Sequence, residues 1–219
     1  MNRVKVSKKL NILCLHGYFQ SAQIMKEHTP ALYRKLKSIA DFYYLDGPIV
    51  VNSMEGFKEE LGTEKVGKAW WVKAEDGSYP EFDATVDYVL DCYKNHGPFD
   101  GILGFSQGAG LGLFLAALQE KGDIATDFKF AISYSGFYPS DLTLQKVVDS
   151  RLISIPTVHF IGKKDDKVEP KSSEEIAKHF LDPLIVYHEG GHYIPQNGEI
   201  KETIYRFLLQ FLDLECRLC

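Results

Sequence analysis

Short apolar runs that read as strands alternate with segments of helical period along this chain, and that alternation restricts its fold more than any other property. LNILCL (10–15) is apolar and closed by His16-Gly17, the pattern of a buried strand. From Thr29-Pro30 onward Leu32, Leu36 and Ile39 recur at helical spacing, with proline suited to a helix start. DFYYL (41–45) reads as a strand stopped by Gly47-Pro48. Phe82, Val86, Val89, Leu90 and Tyr93 mark a helix that ends at His96-Gly97-Pro98. FDGILGF (99–105) is a strand, and 109–118, apolar on nearly every face, predicts a centrally buried helix. FKFAISYSG (128–136), IPTVHFIG (155–162) and PLIVYHE (183–189) are further strands, with helices over 172–181 and from Ile200 to Leu212. The strands look buried on both faces, which predicts an α/β fold: a mostly parallel central sheet with helices on both faces. Residues 49–80 and 137–154 lack a clean period and read as irregular excursions, a kind of loop that is often functional. No repeat or linker interrupts the pattern, so 1–219 is expected to be one domain.

Bulk properties narrow the partners. The 219 residues carry a net charge of −5 with no long basic stretch, which argues against nucleic acid or an anionic membrane. No run approaches the roughly 18 apolar residues of a membrane span, and the N-terminal apolar run is too short for a secretory signal. A cytoplasmic location is expected, with the nucleus left open. Cys14 lies inside an apolar run, like a buried thiol, and Cys216 and Cys219 form a C-x-x-C with no second pair to complete a metal site. No metal or organic cofactor is expected.

In a parallel sheet, ligands bind beyond the carboxyl ends of the strands, so reactive residues directly after each strand carry the functional signal. His16, Gly17 and Tyr18 follow the first strand, and Ser106 and Gln107 follow FDGILGF. Asp165 and Asp166 come after IPTVHFIG, and His192 after PLIVYHE. A serine hydroxyl is a weak nucleophile until an adjacent base takes its proton. Histidine, with an ordinary pKa of about 6.5, can do so near neutral pH, and a carboxylate behind it fixes the tautomer. Gly104-Phe-Ser106-Gln-Gly108 matches G-x-S-x-G, the sharp strand-to-helix turn that presents a serine. The motif is short enough to arise by chance; its place at a strand–helix junction, with acid and histidine after later strands, is what gives it weight. The backbone N–H groups of Gln107 and Tyr18, the latter after a flexible His16-Gly17, are candidate donors to the tetrahedral oxyanion. Asp165, Asp166 and Asp141 all remain open as the acid. Phe19, Trp70, Trp71 and Phe137, with Tyr18, are candidates for an apolar acyl pocket, or for plain core packing.

LCLHGYFQS (13–21), YYLDGP (43–48), AWW (69–71), GPFDGILGFSQGAG (97–110), SYSGFYP (133–139), IPTVHFIGKKDDKV (155–168) and HEGGHYIPQ (188–196) together resemble the fungal "family of serine hydrolases" group and its animal relative, an ovarian-cancer-associated esterase. The resemblance covers nearly the whole chain. It implies an α/β-hydrolase fold without a large lid domain, with catalytic Ser106, Asp165 and His192 and oxyanion donors Tyr18 and Gln107. It also implies a carboxylesterase that cleaves small-molecule esters with apolar acyl chains through an acyl-enzyme. Two alternatives stand beside that reading, an acyl thioesterase or lysophospholipase-like hydrolase and a hydrolase-fold binding module without turnover. The Asp165-Asp166 pair departs from a single-acid motif, and the stretch between DGP and AWW carries no transferable substrate preference.

Overall fold

A computed structural model describes residues 7–52, 66–138, 142–149 and 152–212. Cys216, Cys219 and Asp141 lie outside the described residues. In chain order the elements are β1 (Leu10–Leu15), α1 (Ala22–His28), α2 (Pro30–Leu36), β2 (Ala40–Leu45), β3 (Ile49–Val51), β4 (Gly67–Ala69), α3 (Phe82–His96), β5 (Gly101–Phe105), α4 (Gln107–Lys121), β6 (Phe130–Tyr134), α5 (Leu142–Asp149), β7 (Thr157–Gly162), α6 (Pro170–Ala177), β8 (Leu184–His188) and α7 (Gly198–Leu209). Six strands form one sheet in the order β2-β1-β5-β6-β7-β8, and every pairing in it is parallel.

Alternation along each strand builds two cores. Leu13 and Leu15 of β1 pack with residues of α3, α4 and α6 on one face. Ile12 and Cys14 pack with Met25 of α1, Leu32 and Leu36 of α2, and Ile204 and Leu208 of α7 on the other. Strand side chains point to opposite faces with period two, so a continuous apolar run serves both cores at once. Helix α4 is buried at every position from Gln107 to Ala117, as its all-round apolar character predicts. It ends where Gly122 takes the left-handed conformation with φ 81°, the usual glycine stop.

Strand order reverses direction between β1 and β5: the chain goes to β2 on one side of β1 and later to β5 on the other. The C-terminal ends of these two neighbours border the crevice where ligands bind in such sheets. Several expectations need correction. The irregular 49–80 contains the antiparallel pair β3–β4, and 137–154 contains α5, while α1 appears where no helix was read. The outer strands are not buried on both faces: β8 leaves Leu184 and Tyr187 exposed, because an edge strand has no neighbour on one side and helix cover is thinner there.

Candidate active site

Strand β5 runs straight into α4 through Ser106, whose backbone lies at φ 53°, ψ −118°. A non-glycine residue seldom adopts a positive φ, and it persists only where its surroundings enforce it. Here Ser106 N–H donates to the Tyr134 carbonyl (2.8 Å), and the Ser106 carbonyl accepts from Ala109 and Gly110 N–H (3.0 Å each). The flanking glycines are steric requirements. A β-carbon at Gly104 would run into the Ala109 backbone, and one at Gly108 into the Leu15 and His16 carbonyls. The turn therefore packs directly against the end of β1.

Three side chains from separate loops meet in series at this turn. Ser106 Oγ lies 3.0 Å from His192 Nε2, and His192 Nδ1 lies 2.8 Å from Asp165 Oδ2. An ionised carboxylate only accepts, so Nδ1 carries the hydrogen and Nε2 presents its lone pair to the serine. The Phe105 ring packs on the imidazole with centroids 4.8 Å apart. Asp165 is buried and accepts four hydrogen bonds: from His192, from Ser135 Oγ (2.8 Å), and from the N–H groups of Lys167 (3.0 Å) and Val168 (2.9 Å). Burial pushes its carboxyl upward, but the bonds from Val168, His192 and Ser135 outweigh burial and hold it below the ordinary carboxylate value. Asp166 points away, 76% exposed beside Lys167, so of the adjacent pair it is Asp165 that reaches the histidine.

The loop after β1 is rigid rather than flexible. His16 is fully buried; its Nδ1–H donates to the Gly17 carbonyl (2.7 Å) and its Nε2 accepts from Gly47 N–H (2.8 Å). Burial pulls this imidazole below its ordinary pKa, against the Gly17 carbonyl, which favours the charged ring. Gly17 N–H donates to Gln20 Oε1 (3.0 Å), and Phe19 sits at φ 59°. The Gln107 side chain turns away from the serine: its Oε1 accepts from Trp70 N–H (2.8 Å) and its Nε2 donates to the Trp71 carbonyl (2.7 Å). Its own N–H stands in the first turn of α4, where no intrahelical acceptor exists. Parallel β1 and β5, paired at Leu15 and Gly104, carry Tyr18 and Gln107 on adjacent strand ends.

Of the aromatic residues proposed for an acyl pocket, Trp70 has no accessible surface and cannot touch a substrate as it stands. Its Nε1–H donates to the His16 carbonyl (2.7 Å), and its own carbonyl accepts from Thr85 Oγ1 (2.6 Å). Trp71 is 4% exposed and packs in the core against Phe82 and Phe137. Phe19 and Phe137 are half-buried, while Tyr18 is exposed. A cavity of about 370 Å³ opens instead beside His192, lined by Gln20, Glu27, His28, Phe105 and Tyr193 among others. Sequence reasoning missed Ser135, which bonds Asp165 from a positive φ of 49°; a small residue directly after the β6 strand was its only signal. The brace formed by the Gln107 side chain was missed as well.

Residues 5–204 match the family described as Serine hydrolase (FSH1). The chain is 33% identical to Esterase OVCA2 of Xenopus tropicalis over 93% of its own length and 94% of that protein. It is also 33% identical to Esterase C25G4.2 of Caenorhabditis elegans, over 94% and 95%. Among solved structures it resembles Zea mays acyl-protein thioesterase 2 with a TM-score of 0.69 at 22% identity, covering 94% of this chain and 97% of that one. It resembles esterase PE8 at 0.66 and 19%, covering 96% of each. These likenesses identify the parallel sheet and its helices as an α/β-hydrolase fold. With the family match spanning most of the sequence and the serine held at a strand–helix elbow, the chain belongs to the FSH1 serine hydrolases.

Proposed function

We propose that this hydrolase cleaves carboxylic esters through an acyl-enzyme on Ser106. The observation that carries the reading is the unbroken series from Ser106 Oγ through His192 to Asp165, at 3.0 and 2.8 Å, beneath a serine held at positive φ. His192 Nε2 takes the Ser106 proton as Oγ attacks the ester carbonyl carbon. The carbonyl electrons move onto oxygen, which accepts from the backbone N–H groups of Gln107 and Tyr18. As the tetrahedral species collapses, the bond to the alcohol oxygen breaks and His192 delivers the proton to it. Water, deprotonated by His192, then attacks the acyl–Ser106 ester; the bond to Oγ breaks, His192 returns the proton to Ser106 Oγ, and the carboxylic acid leaves. Asp165 keeps the imidazole in the required tautomer and stabilises the imidazolium.

The acyl chain lies against Phe19 and Phe137 in this reading, the two half-buried rings near the elbow, which favours apolar acyl groups. Trp70 and His16 act as positioning residues that hold the strand-end loop. The test is a panel of p-nitrophenyl esters of rising acyl length, each with a matched thioester, assayed beside fluorophosphonate labelling. Hydrolysis and labelling that both vanish in Ser106→Ala are expected. Labelling that persists in that variant overturns the assignment, and turnover of thioesters alone overturns the ester preference.

A further inference from the structure

The cavity beside His192 shares a wall with the group that carries the proton, and that shared wall bears on its role. His192 must hand the proton it takes from Ser106 to the departing alcohol oxygen, so the alcohol part of the substrate lies on the imidazole side of the serine. The cavity has that imidazole in its wall, together with its neighbour Tyr193 and with Phe105, the residue before the serine. At about 370 Å³ it is near the small end of ligand pockets and suits a compact head group.

Its walls have one sign of fixed charge. Glu27 is the only Asp or Glu lining it, and no Lys or Arg does so among the described residues. Lys26 and Arg34, on the same helices, line instead a neighbouring groove with Tyr33, Asp41 and Phe42. Glu27 accepts from the Gln23 side-chain amide at 2.6 Å and has no ion pair among the described residues. Tyr193, 51% exposed, lines the same cavity, its ring packed edge-on against His188. The pocket is built in advance: Gln196, from the His192 loop, accepts from the N–H groups of Ala31 (2.9 Å) and Leu32 (3.1 Å) and donates to the His28 carbonyl. That side chain locks the α1–α2 corner to the loop that carries the base.

Resting on the esterase reading, we infer that this pocket is the leaving-group subsite and that it selects esters whose alcohol part carries a cation, such as a quaternary or primary ammonium. An unpaired carboxylate and an exposed aromatic ring are the groups that recognise an ammonium head. A phosphate-bearing leaving group such as coenzyme A meets a charge of its own sign here and is repelled.

The experiment compares a choline ester with the 3,3-dimethylbutyl ester of the same acid, which has the same shape with carbon in place of the charged nitrogen. At low salt, kcat/KM for the choline ester is expected to exceed that of its neutral twin by about fivefold, the size of one exposed carboxylate and one ring contact. The ratio shrinks as salt rises, falls to about twofold in Glu27→Gln, where the ring contact remains, and inverts in Glu27→Lys. A ratio of one or less in the unmodified protein, or one that neither substitution moves, overturns the subsite. Failure of Ser106-dependent turnover on both esters overturns the esterase reading instead.

Discussion

The two halves of the site are built differently. The nucleophile half, from β5 through Ser106 into α4, is buried from Gly101 to Ala117, and its glycines touch the backbone of β1. The base half is the segment between β8 and α7, which has neither helix nor strand around His192. It is tied down by Lys164 N–H to the Gly190 carbonyl (3.0 Å), by the Gln196 side chain, and by His192 itself. Core packing dictates the first geometry and a handful of hydrogen bonds the second. Damage to the elbow's packing should therefore cost stability and activity together, whereas damage to the base half should cost activity alone.

The largest effect tests the chemistry without disturbing either half. Ser106→Ala should lower kcat by roughly 10⁴-fold or more, with a thermal midpoint within a few degrees of the parent; a surviving rate breaks the assignment. Asp165→Asn comes next, since an amide in place of the carboxylate disturbs the tautomer that Nδ1–H donation enforces. A loss of roughly 10³- to 10⁴-fold in kcat with little change in KM is expected, read from steady-state kinetics.

A core histidine, His159, separates acid loss of the fold from acid loss of the site. It is buried, its Nε2 meets Thr157 Oγ1 at 3.0 Å, and its Nδ1 has no partner among the described residues. Burial pulls its pKa down to about 4. The native state thus refuses a proton that the unfolded chain accepts below pH about 6.5. Stability is full above that value and falls between pH about 6.5 and about 4, by an amount on the order of 3 kcal/mol. Denaturant melts of His159→Leu across this window should show a flatter slope; an unchanged slope contradicts the sign. Asp165, held low, adds its own loss only at more acidic pH, as it too is protonated.

Gly108→Ala places a methyl against the Leu15 and His16 carbonyls and should cost about 2 kcal/mol of stability while also lowering kcat. Loss of activity at full stability would show that the elbow is not held by packing after all. The smallest effect belongs to Ser135→Ala, which removes one of four bonds to Asp165. A decrease of roughly tenfold in kcat with KM unchanged is expected, the low end of what one hydrogen bond to a charged group is worth.

What could be read from the sequence followed the same divide. Ser106 was legible because a sharp strand–helix turn demands small residues in fixed positions, and His192 because it follows a later strand of the same sheet; position alone left the acid open between Asp165, Asp166 and Asp141, and it took the family resemblance to single out Asp165. The parallel sheet was legible through apolar runs that feed two cores. Trp70 was not, since two adjacent tryptophans look alike whether they line a pocket or present their backbone to Gln107. His16-Gly17 read as flexible because glycine marks freedom locally, while the bonds that remove it come from Gly47 and Gln20, each placed by tertiary structure. Ser135 was invisible for a related reason: a serine in a turn has no pattern that says which carboxylate it will meet.

In the proposed mechanism Gln107 answers to two masters, its main chain facing the developing charge while its amide clasps the Trp70-Trp71 stretch. Any attempt to transplant a different specificity segment into positions 66–75 must therefore bring a main chain that docks on that same amide. A graft that leaves it unengaged will detune the nucleophile's neighbour from a distance, and its failures will masquerade as poor substrate fit.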